Sequence, residues 1–142
     1  MKKSLVITLF SIAALVFVAA CTKSTTSNVS TGKPIASVSV NNLTATVSTS
    51  TGQLKQGQQD VTLAFTDSAG KPVDVGAVSL NLHMPAMGGM AAMNDAVTLT
   101  TTGTAGVYSG KVNVSMGGEW QGQLAYEGPA GTGKATFSVT AR

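Results

Sequence analysis

Residues 83–93 read HMPAMGGMAAM, which sets the only histidine of the chain, His83, directly before four of its six methionines. Met84, Met87, Met90 and Met93 recur at every third position. Thioethers are soft, neutral ligands that favour Cu(I) over zinc or hard cations, and an imidazole completes a site of low coordination number. In an oxidising compartment methionine can also replace cysteine ligands that would otherwise pair as disulfides. Met116 opens a second short turn, Met116-Gly117-Gly118, and adds a further sulfur if the two turns share one end of the fold. The candidate ligands for Cu(I) are therefore His83, Met84, Met87, Met90, Met93 and Met116. Two other readings fit the same residues. Methionine is a flexible filler that would tuck into the open end of a small domain, and unbranched thioethers also suit an adaptable contact surface for a protein partner.

No other constellation promises chemistry. One histidine, six carboxylates spread singly and no cysteine beyond position 21 leave no acid–base or nucleophile pair, so the chain is not expected to be an enzyme. GPAGTGKAT, residues 128–136, imitates a phosphate-binding loop but carries Ala135 where a magnesium-binding hydroxyl is needed. It also joins two strand-like runs, so it reads as a hairpin loop, and neither a nucleotide nor an organic cofactor is expected. Basic residues are scattered singly, which speaks against a nucleic-acid surface. Asp60, Asp67, Asp74 and Asp95 fall at strand edges and turns, where aspartate serves the backbone, and Glu119 reads as a solvated outward position.

The first 21 residues read MKKSLVITLFSIAALVFVAAC. Lys2 and Lys3 precede an apolar run too short for a comfortable membrane span, and small residues close it, as in a cleavable export signal. Val18-Ala19-Ala20-Cys21 resembles the lipobox of bacterial lipoproteins, whose cysteine is acylated after cleavage just before it. That resemblance implies a signal over residues 1–20, lipidation of Cys21 and a membrane anchor without a membrane crossing. Each buried CH₂ contributes about 0.8 kcal/mol, so two or three acyl chains hold stably. Thr22 stands where an aspartate would resemble an inner-membrane retention signal. In a two-membrane bacterium this points to the outer membrane, facing the periplasm. Two of the charges behind the formal +3 leave with Lys2 and Lys3, so the basic balance largely belongs to the signal.

The remaining elements must position the methionine stretch. Residues 21–34 are the lipidated cysteine and a polar flexible tether, and residues 35–142 form one small domain. Within it, apolar residues alternate with polar ones at period two and never at helical spacing. Ala36-Val38-Val40, Leu43-Ala45-Val47, Val61-Leu63-Phe65 and Val78-Leu80-Leu82 each share a parity. So do Val97-Leu99, Tyr108-Val112-Val114, Trp120-Leu124-Tyr126 and Phe137-Val139. Turn residues separate these runs, notably DSAGKP (67–72), TGTAG (102–106) and EGPAGTG (127–133). Seven or eight short antiparallel strands with one apolar face each need a second sheet to cover that face. The expected fold is all-β, an immunoglobulin-like β-sandwich with Trp120 pinned in its core. His83 should leave its strand on the face opposite Leu82, Met84 should continue the inward parity, and Gly88-Gly89 should turn the chain back toward His83.

GQLKQGQQDVTLAFTDSAGKPV (52–73), VSLNLHMPAMGGM (78–90), GVYSGKVNVSMGGEWQ (106–121) and ATFSV (135–139) together resemble the YtkA-like domain, also seen in FixH-type proteins and some copper-efflux adaptor chains. HMPAM and MGGEW carry the resemblance most specifically. Family members often add a histidine after HMPxM, where this chain has Gly88 and Gly89. The family implies an exported immunoglobulin-like fold near copper handling or oxidase assembly. Two functions follow as expectations. In one, the chain is a membrane-anchored lipoprotein whose His–Met loop binds Cu(I) for buffering or transfer, with a copper-handling or other envelope protein as partner. In the other, it is a non-metal structural or adaptor module in an envelope complex, and the methionines are packing or contact residues.

Overall fold

The structure, a computed structural model, describes residues 32–142. The expected export signal, Cys21 and the tether up to residue 31 lie outside the described residues. Strand β1 already begins at Lys33, so the end of the expected tether belongs to the sheet.

Eight antiparallel strands account for the domain: β1 (Lys33–Val40), β2 (Leu43–Thr49), β3 (Gly57–Thr66), β4 (Ala77–Met84), β5 (Met93–Thr101), β6 (Val107–Val114), β7 (Gly118–Gly128) and β8 (Gly131–Ala141). Each expected alternating run lies in one of them, and the described residues hold no helix. The hydrogen-bonded order is β1-β2-β3-β6-β5-β4-β7-β8. Strand β5 joins the two layers. Its first half pairs Met93–Val97 with β4, and its second half pairs Thr98–Thr101 with β6. The layers thus fold over one another, and β1 comes to lie alongside β8. The connections from β3 to β4 and from β6 to β7 cross between layers, giving the Greek-key arrangement of a β-sandwich.

Alternation explains which side chains meet inside. Val61, Leu63 and Phe65 from one layer face Leu80, Leu82, Trp120, Leu124 and Tyr126 from the other, all buried. Phe65 sits between Tyr108 and Tyr126, edge-on to both, with ring centroids 6.0 and 5.5 Å away. Trp120 is fully buried, and its Nε1–H donates to the Met116 carbonyl at 3.0 Å. Among the described residues no buried side-chain nitrogen or oxygen lacks a partner.

Three local outcomes depart from the sequence reading. The β7–β8 connection is a tight turn closing on Gly128 opposite Gly131, because the strands run on through most of the expected loop. Asp60 lies within β3 and pairs with Lys111 directly across on β6 at 2.9 Å, instead of serving a turn. Val107 is buried beside Tyr108, although Tyr108 joins the core cluster and Val107 does not. Asp67 and Asp74 do serve turns: Asp67 accepts from the Ala69 and Lys71 amides, and Asp74 from that of Gly76.

Candidate functional site

The methionine stretch is the tip of the β4–β5 hairpin. The ladder pairs His83 with Asn94 and Met84 with Met93, then lapses as Pro85 offers no amide donor. It resumes at Met87 and Met90, which exchange both backbone hydrogen bonds at 3.2 and 2.8 Å. Between them Gly88 and Gly89 have φ values of 54° and 90°, the two positive dihedrals of a type I′ hairpin turn. Glycine adopts these at no steric cost. Both arms carry the same number of residues, so the pairing register survives the lapse.

That register sorts the methionines. Cβ atoms alternate along a strand, so positions three apart point to opposite faces. Met84 and Met93 face inward: Met84 is 2% exposed, and Met93 packs on the core. Met87 and Met90 share the outer face with His83 and Asn94, and at 53% and 44% exposure they are, among the described residues, the large apolar side chains left open to solvent. A paired position across such a ladder brings two Cα atoms to about 5.5 Å, so the two outer side chains leave neighbouring backbone positions. His83, Pro85 and Met87 line one shallow depression with Glu119, Trp120, Gln121 and Ser138.

Around His83 the sheet presents a row of uncharged polar groups, with Asn94 on β5, Gln121 on β7 and Ser138 on β8 in neighbouring register. Asn94 Oδ1 accepts from Asn81 Nδ2 at 3.2 Å and lies 2.9 Å from His83 Nδ1. An oxygen already acting as acceptor assigns the proton to Nδ1, which leaves the Nε2 lone pair as the ligand atom. Nearby, Asp95 accepts from the Ser115 amide and hydroxyl, both at 2.7 Å, tying the root of the hairpin to the β6–β7 turn.

The six expected ligands do not converge at one mouth. The β6–β7 turn does lie at the same end as the hairpin, for a Cβ on Gly118 would stand 3.0 Å from the Met84 methyl carbon. Met116 nevertheless packs its side chain on the core, and its carbonyl is engaged by Trp120. Met84, Met93 and Met116 thus pack on the interior, apart from the outer residues of the tip, and for Met84 and Met93 the physical reason is the period of the strand. A spacing of three, which the sequence reading took as a cluster, inverts the face within each arm, from Met84 to Met87 and from Met90 to Met93, while Met87 and Met90 are paired across the turn. His83, Met87 and Met90 remain on the outer side. Among the described residues no three His, Cys, Asp or Glu side chains gather into a metal cage. Asn94, which orients the imidazole, was missed. Folding the sequence about Gly88-Gly89 would have set it opposite His83.

The family model of YtkA-like proteins matches residues 37–125, from β1 through most of β7, and includes the whole hairpin tip. The chain belongs to the YtkA-like family. Neither a curated protein nor a solved structure matches it. The YtkA-like match begins earlier than the resemblance in the sequence suggested, since it takes in β1 and β2, and it ends before β8.

Proposed function

We propose that this YtkA-like chain is an exported, lipid-anchored lipoprotein that binds Cu(I) at its β4–β5 tip, through His83 Nε2 and the thioethers of Met87 and Met90, and buffers or hands on the ion. The observation that carries this reading is the outward methionine pair. Two large apolar side chains leave directly paired positions into solvent across a type I′ turn, on the face of the only histidine, whose Nδ1 is already engaged. The donor set fits the ion: two soft sulfurs and one borderline nitrogen suit Cu(I) and poorly suit calcium or magnesium. The fixed turn keeps Met87 and Met90 on directly paired backbone positions before any ion arrives, which limits the ordering cost of capture. Anchoring through Cys21 would confine the activity to a membrane surface, in a two-membrane bacterium the periplasmic face of the outer membrane. No catalytic role is proposed.

A competition titration of the purified protein against a chromophoric Cu(I) chelator tests this. The expected result is one Cu(I) per chain, lost in the Met87→Leu/Met90→Leu variant. No uptake by the wild-type protein would refute the reading.

The same exposure supports a second reading, in which the tip is the contact of an adaptor module with an envelope protein. Leucine preserves apolar area and removes sulfur chemistry, so the double leucine variant separates the two. A tolerant phenotype with retained partner association favours the adaptor.

A further inference from the structure

We infer that Met87 and Met90 form a reversible oxidation site, and that their conversion to sulfoxides switches the hairpin tip off as a soft-ligand surface. The part concerning the switch rests on the Cu(I) reading above; the part concerning selective oxidation does not.

The argument begins from access. A thioether is oxidised by direct attack of its sulfur lone pair on the oxidant, so accessibility governs which methionines react. Met87 and Met90 are 53% and 44% exposed, whereas Met84, three residues from Met87, is 2% exposed. Met93 and Met116 pack against the core. The domain methionines therefore divide into an open pair, a half-buried pair, Met93 and Met116, and the shielded Met84. With hypochlorous acid as oxidant, each open sulfur takes one oxygen atom, and chloride and a proton leave; two electrons pass from sulfur to chlorine. With a peroxide, the same oxygen transfer releases water or an alcohol.

The consequence follows from where the pair sits. Oxidation of a buried methionine sets a polar, chiral group into apolar packing and disrupts it. At the tip the sulfoxide oxygens project into solvent. The backbone bonds between Met87 and Met90, and the two glycines between them, do not involve the side chains. The fold therefore survives, while the sulfur lone pair that a soft metal needs is consumed. Since the product remains on an exposed turn, a methionine sulfoxide reductase can reach it, and the change is reversible.

The test treats metal-free purified protein with limiting hypochlorous acid and maps oxygen uptake by peptide mass spectrometry. The expected result is addition at Met87 and Met90 first, with Met84 slower on the order of tenfold or more because it reacts only through local opening. Circular dichroism should be unchanged, and reductases of both stereospecificities should remove the added oxygens. Equal rates at Met84 and Met87, or loss of the β-sheet signal when only the tip is oxidised, would overturn the oxidation site. Cu(I) titration before and after oxidation then tests the switch. Affinity should fall at least tenfold on oxidation and return on enzymatic reduction. Unchanged affinity after oxidation would overturn the switch. Absence of Cu(I) binding in the reduced protein would also overturn it, together with the Cu(I) reading, while the mapping of oxygen uptake would stand.

Discussion

His83 is useful as a ligand because of what holds it. Its Nδ1 faces Asn94 Oδ1, which is itself anchored by Asn81. Removing that acceptor in Asn94→Ala should lower Cu(I) affinity by about 10- to 100-fold, the usual effect of losing a group that orients a metal-binding imidazole. The melting temperature should barely move, because Asn94 is exposed. Asn94→Asp, which keeps an acceptor oxygen, should restore most of the affinity; equal loss in both variants would argue against an orienting role. Met87→Leu/Met90→Leu should change unfolding free energy by no more than about 0.5 kcal/mol in a denaturant titration, as for other surface substitutions. At this scale the sequence was partly legible. The outward aim of His83 and the inward aim of Met84 follow from parity with Leu82. The role of Asn94 emerges only once the chain is folded about Gly88-Gly89, because its partner lies eleven residues away across the hairpin.

The hairpin is the element that makes the site. Gly88 and Gly89 have open space around a would-be Cβ, so replacing either by alanine tests backbone conformation alone. Gly88→Ala should destabilise the protein by about 1–2 kcal/mol, the cost of a left-handed conformation for a residue with Cβ. Gly88→Asn should be milder, because asparagine accepts that region. Denaturant midpoints check both. Strand β7 supplies the contrasting case. A Cβ on Gly122 would run into the Phe137 ring, which covers this glycine from its paired position on β8. Gly122→Ala should therefore destabilise through sterics, and a second change, Phe137→Leu, should recover part of the loss. The strands themselves were readable from alternation. The division of the methionines was not, since a spacing of three reads as a cluster until strand register assigns faces. The close approach at Gly122 carries no local signal either, because it depends on a partner strand.

As a whole, the molecule is a two-layer sandwich whose interior was largely foreseeable. Trp120, Phe65 and Leu63 were placed inside by parity and are buried. What composition did not reveal was the changeover of β5 between layers, because pairing partners are set by tertiary packing rather than by the strand's own residues. Tyr108 ties two parts of this interior together, donating from its hydroxyl to the Gly76 carbonyl at 2.9 Å. Burial, and then the Asp74 carboxylate, raise its pKa above the ordinary 10.0. A raised pKa means that the unfolded chain ionises first. Stability from this group is therefore complete below pH 10 and is lost as pH rises toward the folded-state value. Melting temperatures across that alkaline range should fall less steeply in Tyr108→Phe than in the wild type. The central claim concerns the other end of the sandwich, where His83, Met87 and Met90 face outward. Nuclear magnetic resonance of methionine methyl groups, followed as Cu(I) is added to one equivalent, tests it most directly. The Met87 and Met90 methyls should shift together and saturate at one ion per chain, with Met84 unmoved. Shifts first at Met84 or Met116, or none at all, would contradict the account.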